Sequence, residues 1–330
     1  MKPREQFLNI MNFRKPTDRF PMVEWAHWWD KTHHRWRDEG LPKHIGGDEL
    51  FQYFGLDEFI CIRGVTYSGP WAKYHGGPII TNEEEYENIS HFLFKDDYIR
   101  AAREQVEKWA EKHRNGEIIL RIWLDGFFWF PRTLLGIENH LYSFYDQPEL
   151  LHRMCNDLTN YNLRLMEELF QVLTPDMVGF AEDMSYNNGP MLSYDQFCEF
   201  LLPYYNKLVP YIKSHGITCW VDTDGDVTQM VPWLLGAGIQ GIFPLERQAG
   251  VDIVKIRDEY PNLLMFGAYD KMVMSKGEAE MRAEFERLLP VMKSGGFMPS
   301  VDHQTPPEVS LENYRIYLRL YKEYCTLAAK

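Results

Sequence analysis

A formal net charge of −13 over 330 residues disfavours nucleic acid and anionic membrane surfaces as partners. With 45% hydrophobic and 25% charged residues, the chain has the composition of a folded protein with a large core. No apolar run approaches the roughly 20 residues of a membrane helix, and the opening MKPREQFLNIMNFRKP lacks the apolar centre of a secretion signal, so a cytoplasmic protein is expected.

Short apolar runs alternate with amphipathic stretches along the chain. They predict strands at Phe20–Trp25, Phe59–Arg63, Ile118–Trp123, Met177–Ala181, Ile217–Val221, Ile239–Phe243, Leu263–Gly267 and Phe297–Val301, each apolar enough to be buried on both faces. Helices are predicted at Asp97–Arg114, Pro148–Leu173, Ser193–His215, Glu278–Lys293 and Leu311–Thr326. Pro148 suits a first turn, Ser193 and Ser310 suit caps, and Gly216 suits a stop. The stretch from Trp71 to Phe94 breaks the rhythm and reads as an insertion. Eight strands without a Pro/Gly/Ser linker point to a single-domain α/β fold, a (β/α)8 TIM barrel; a doubly wound open sheet is the alternative.

The five cysteines are scattered without CxxC spacing, which argues against a disulfide framework or a cysteine zinc site. In a barrel the pocket is lined by residues at the carboxyl ends of the strands. Here those positions supply Glu24, Trp25, Trp28 and Trp29, then Arg63 and Tyr67, Trp123 and Asp125, and Glu182 and Asp183. Later strands supply Asp222, Asp224, Asp226, Glu246, Arg247, Asp302 and His303. So many carboxylates must raise one another's pKa or share a cation. In VDTDGD, Asp222 and Asp224 are two apart and would share one face of a strand, with Gly225 allowing a turn after them. With His303 they could hold a divalent metal. Each feature also has a plain structural reading: Asp and Gly ending a strand, Glu182–Asp183 capping a helix, His303 in a loop, and the tryptophans packing as a lid.

The segments REQFLNIMNFRKPTDRFPM, NGPMLSYDQFCEFLLPYYNKLVPYIKSHG and GGFMPSVDHQTPPEVSLENY resemble the uroporphyrinogen decarboxylase superfamily, whose fold is a (β/α)8 barrel. The superfamily also includes cobalamin-dependent methyltransferases acting on methanol, methylamines, chloromethane or aromatic methyl ethers. The resemblance implies one domain over residues 1–330 with an insertion around 68–95.

The decarboxylase branch carries an RxAGR motif after its first strand, where this chain reads EWAHWWDKTHH. It has an aspartate after the second strand, where this chain reads IRGVTY, and a catalytic tyrosine where PRTLLGI puts Ile137. The methyltransferase branch holds zinc on H-x-C and a distant Cys; Asp222, Asp224 and His303 fall on those positions. The resemblance therefore implies a methyltransferase-like enzyme passing a methyl group from a small substrate, such as an aromatic methyl ether, to a corrinoid carried on a separate protein. A divalent metal, zinc in the family, would be held by Asp222, Asp224 and His303.

On that reading His303, Glu182 and Asp183 are the catalytic candidates. Trp25, Trp28, Trp29, Arg63, Tyr67, Glu246 and Arg247 are the substrate-binding candidates. The alternatives are a porphyrinogen carboxy-lyase and a non-catalytic barrel binding a tetrapyrrole or corrinoid. A homodimer is left open.

Overall fold

The computed structural model describes residues 1–47 and 49–330. One curled sheet of seven parallel strands runs in sequential order: β1 (Phe59–Arg63), β2 (Ile119–Asp125), β3 (Met177–Ala181), β4 (Thr218–Asp222), β5 (Gly241–Phe243), β6 (Leu264–Tyr269) and β7 (Phe297–Val301). Parallel neighbours in chain order require crossover helices on one side, which the intervening helices supply. The register aligns Cys61 with Arg121, Arg63 with Trp123, Asp125 with Ala181, and Ala181 with Asp222. Because faces alternate, Cys61, Arg63, Arg121, Trp123, Asp125, Gly179 and Asp222 share the concave face. Aromatic contacts across that face link Phe59 with Phe266 at 5.2 Å and Trp123 with Phe243 at 5.2 Å.

The eighth predicted strand, Phe20–Trp25, does not join the sheet, so an eight-stranded hydrogen-bonded barrel is not formed. The segment is mostly buried but is tied down through side chains. Asp57, just ahead of β1, accepts the Met22 N–H at 2.8 Å and donates its own N–H to the Met22 carbonyl at 2.7 Å. Toward β7, the Trp25 indole donates to the Val301 carbonyl at 2.8 Å and Ser300 donates to Glu24 at 2.5 Å. The Tyr321 hydroxyl serves both backbone groups of Val23. Pro21 and Pro299 lack the N–H that a ladder needs, which explains why side chains take over.

The helices follow the predicted periods, with one change. The stretch expected as a single helix from Ser193 is two, Tyr194–Phe200 and Leu202–Ser214, since Pro203 starts the second. Ser193 closes a capping box with Gln196. Among the described residues, no helix is long and apolar enough to cross a membrane.

Candidate active site

Thr223 fixes the end of β4: its hydroxyl accepts the N–H groups of Met184 at 3.0 Å and Ser185 at 3.1 Å. Ser185 in turn donates to the Asp224 carbonyl at 2.6 Å. Gly225 has φ +83, and a Cβ there would lie 2.5 Å from the Tyr186 backbone, so only glycine fits the turn. This frame presents Asp222 and Asp224 beside the loop after β7, and the His303 Nε2 lies 3.5 Å from Asp224 Oδ2. The Oδ1 atoms of Asp222 and Asp224 are enclosed without a hydrogen-bond partner.

The electrostatics follow from that crowding. Burial holds the Asp222 carboxyl far above the usual carboxylate range, and the Asp224 and Asp183 charges add to the effect. For His303 burial pulls the imidazole pKa down, but Asp224 beside it outweighs this, and the net shift is upward. The group thus combines a carboxyl that burial biases toward its neutral form with an imidazole whose protonated form Asp224 favours. Orphaned carboxylate oxygens also suit a cation, yet among the described residues no three His, Cys, Asp or Glu side chains converge closely enough to share one.

Glu182 and Asp183 diverge. Glu182 is completely buried and accepts the N–H groups of Phe127 at 2.9 Å, Phe128 at 2.7 Å and Trp129 at 3.3 Å, as well as the Tyr205 hydroxyl. Its carboxylate secures the start of the helix Trp129–Leu135 instead of turning toward Asp224. Asp183, at φ 44, turns the other way and pairs with Arg132 at 2.6 Å. Glu246 accepts from Lys271 at 2.9 Å and from the Gly225 N–H at 2.9 Å, so it too braces the turn. Arg247 donates to the Val251 carbonyl within its own loop.

Two chambers are lined by residues of β1 and β2 and the loops around them, and Asp222, Asp224 and His303 line neither. The outer one, about 620 Å³, lies beyond the ends of β1 and β2 between Tyr67, Trp71, Trp129, Arg132 and Ile137. The inner one, about 640 Å³, lies deeper, against Trp25, Arg121 and Gln304. Arg63 and Trp123 line both. Trp25 stands edge-on to His303 with ring centroids 6.1 Å apart, and Trp29 likewise at 6.5 Å. Trp28 is instead packed among Trp36, Phe51, Phe54 and Tyr314, and it walls neither chamber.

Sequence reasoning missed Arg121 and Arg132. Arg121 carried a signal, since it is the one charge inside the apolar run IILRIWL. Arg132 carried none beyond its place in PRTLLGI.

A family model described as uroporphyrinogen decarboxylase (URO-D) matches residues 84–324. The chain belongs to that family. A methyltransferase from Methanosarcina mazei has a similar structure, with a TM-score of 0.61, 13% identity, and coverage of 98% of this chain and 99% of that one. A putative vitamin-B12 independent methionine synthase from Listeria monocytogenes aligns over 94% of this chain and 98% of its own, at 12% identity and a TM-score of 0.44. At such identities likeness extends to the fold alone. No curated protein sequence matches.

Proposed function

We propose that this member of the uroporphyrinogen decarboxylase family is a methyltransferase-like enzyme. It would take a methyl group from a small substrate, such as an aromatic methyl ether, and deliver it to a corrinoid on a separate protein. The observation that carries this reading is the outer chamber: about 620 Å³, walled by Tyr67, Trp71, Trp123 and Trp129, at the carboxyl ends of β1 and β2. Its size and aromatic walls suit a compact planar molecule. A porphyrinogen with many carboxylates is poorly served, because no arginine follows Trp25 before Arg35 and Ile137, not a tyrosine, lines the chamber.

The side chains supply proton chemistry. A phenolate leaving a methyl ether needs a proton, and burial raises the Asp222 carboxyl well above the usual carboxylate range, which favours the protonated form that could give one. The Asp224–His303 pair can then restore it, since a protonated imidazole beside a carboxylate is a ready source. Arg132, anchored on Asp183, and Arg63 give the chamber its positive side.

A divalent metal would be held by Asp222, Asp224 and His303 only if these side chains drew closer together, since among the described residues no three such groups converge as they stand. When bound it would add Lewis acidity at the leaving oxygen. Metal analysis of the purified protein tests that part separately.

The methyl-transfer reading itself is tested by mass spectrometry. Substrates with a trideuterated methoxy group are incubated anaerobically with the protein and a reduced corrinoid. Loss of the label from the substrate is the expected result. Unchanged substrates, together with carbon dioxide release from uroporphyrinogen, would favour the carboxy-lyase alternative.

A further inference from the structure

The inner chamber is cationic within an acidic protein. The chain carries a net charge of −13, yet this chamber is lined by Arg63, Lys108 and Arg121 and by a single acid, Glu24. Glu24 is already engaged, accepting from Ser300 at 2.5 Å and from the Val301 N–H at 3.3 Å. Burial raises its pKa to about 7, so it offsets the cations only in part.

Arg121 is 6% exposed and held by aromatic rings, its guanidinium 4.4 Å from the Trp123 centroid and 5.0 Å from that of Phe59. One Nη donates to the Trp25 carbonyl, but Nε and the other Nη are buried without any partner. A buried cation with unused N–H groups is costly unless something else bonds them. Arg63 and Lys108 form no ion pair among the described residues; Lys108 lies over the Trp109 ring, 4.9 Å from its centroid.

The chamber is also reachable from the side. Its walls include Ile60 and Ile62 from one face of β1 and Cys61 and Arg63 from the other, so it wraps around the edge of that strand. That edge is free because residues 20–25 do not pair with it. Exposed Lys108 stands at this opening, on the helix Asp96–Arg114.

We infer that the inner chamber is an anion subsite that takes the carboxylate of a small planar organic acid on Arg63, Lys108 and Arg121. Cations in a low-dielectric cleft attract such a group strongly, and the Trp25 and Trp123 rings give its planar body a surface to stack on. The subsite does not depend on methyl transfer, since it rests on charge and shape alone.

Calorimetric titration of the whole protein tests it with benzoate, its neutral analogue benzamide, and inorganic phosphate. Benzoate should bind at least tenfold more tightly than benzamide and than phosphate. Arg63→Gln and Lys108→Ala, both at exposed positions, should each weaken benzoate at least fivefold and leave benzamide unchanged. Equal binding of benzoate and benzamide overturns the inference, as does undiminished benzoate binding in the double variant. Phosphate binding as tight as benzoate overturns the assignment to a planar carboxylate. No methyl donor or corrinoid is present, so a failure here is separable from a failure of the methyl-transfer reading.

Discussion

The imidazole of His303 and the carboxylate of Asp224, 79 residues apart in the chain, meet at 3.5 Å across the mouth of the sheet. Each sits just past a strand, β7 and β4 respectively, and the curl of the sheet brings those ends together. The pairing makes a direct prediction. In Asp224→Asn the main upward influence on His303 is lost, leaving burial and Lys271 against the smaller pull of Glu246, so the ring pKa should fall. Titration by NMR of the His303 ring protons reads this; an unchanged midpoint would mean the two residues do not interact.

A second prediction concerns Glu182. Its two oxygens accept backbone N–H groups on both sides, and a Gln there would turn an amide donor toward one of them. Glu182→Gln should therefore cost about 1–3 kcal/mol, the usual penalty for an unsatisfied buried group. Denaturant unfolding measures it. A variant as stable as the parent would contradict the bracing role.

Gly126 provides a third. A Cβ at this position would lie 2.1 Å from the Glu182 carboxyl carbon, and that carboxylate is pinned by its hydrogen bonds. Gly126→Ala should lower stability by about 1–3 kcal/mol as overpacking does. Combined with Glu182→Ala, which empties the space, the loss should be less than the sum of the two. Strict additivity in a double-mutant cycle would count against the contact.

The fourth concerns pH. Burial lifts Glu24, Glu182 and Asp302 each to about 7. In the unfolded chain such groups titrate near about 4. Between those values the folded state holds protons that the unfolded state has lost, so stability is full below the unfolded pKa and declines as pH rises through 7. Thermal unfolding should thus occur at a higher temperature at pH 6 than at pH 8. A midpoint that climbs steadily from pH 6 to pH 8 would contradict these burials.

Much of the frame was legible in the sequence because strands buried on both faces read as uninterrupted apolar runs. Phe59–Arg63, Met177–Ala181 and Phe297–Val301 coincide with β1, β3 and β7. Phe20–Trp25 has the same look, but hydropathy cannot report that Asp57, Tyr321 and Arg121 would satisfy its backbone in place of a neighbouring strand. Within the site, the positions of Asp224 after β4 and His303 after β7 were enough to place that pair at the same end of the sheet. The adjacent pair Glu182–Asp183 was not separable in that way. Their opposite roles arise from the positive φ of Asp183 and from the glycine at 126, which leaves room for the Glu182 carboxylate. Arg121 stands out as the lone charge in IILRIWL, but the three aromatic rings around it come from separate strands and are not legible in the sequence.

The central claim is methyl transfer to a corrinoid, and absorbance spectroscopy tests it most directly. The protein is mixed anaerobically with cob(I)alamin and a methoxylated aromatic compound, beside an otherwise identical sample of Asp222→Asn. The account predicts that the cob(I)alamin band gives way to that of methylcobalamin with the parent protein, and at least tenfold more slowly with the variant. Persistence of the cob(I)alamin band across methyl ethers, methanol and methylamines, while the same preparation converts uroporphyrinogen to coproporphyrinogen, would contradict it.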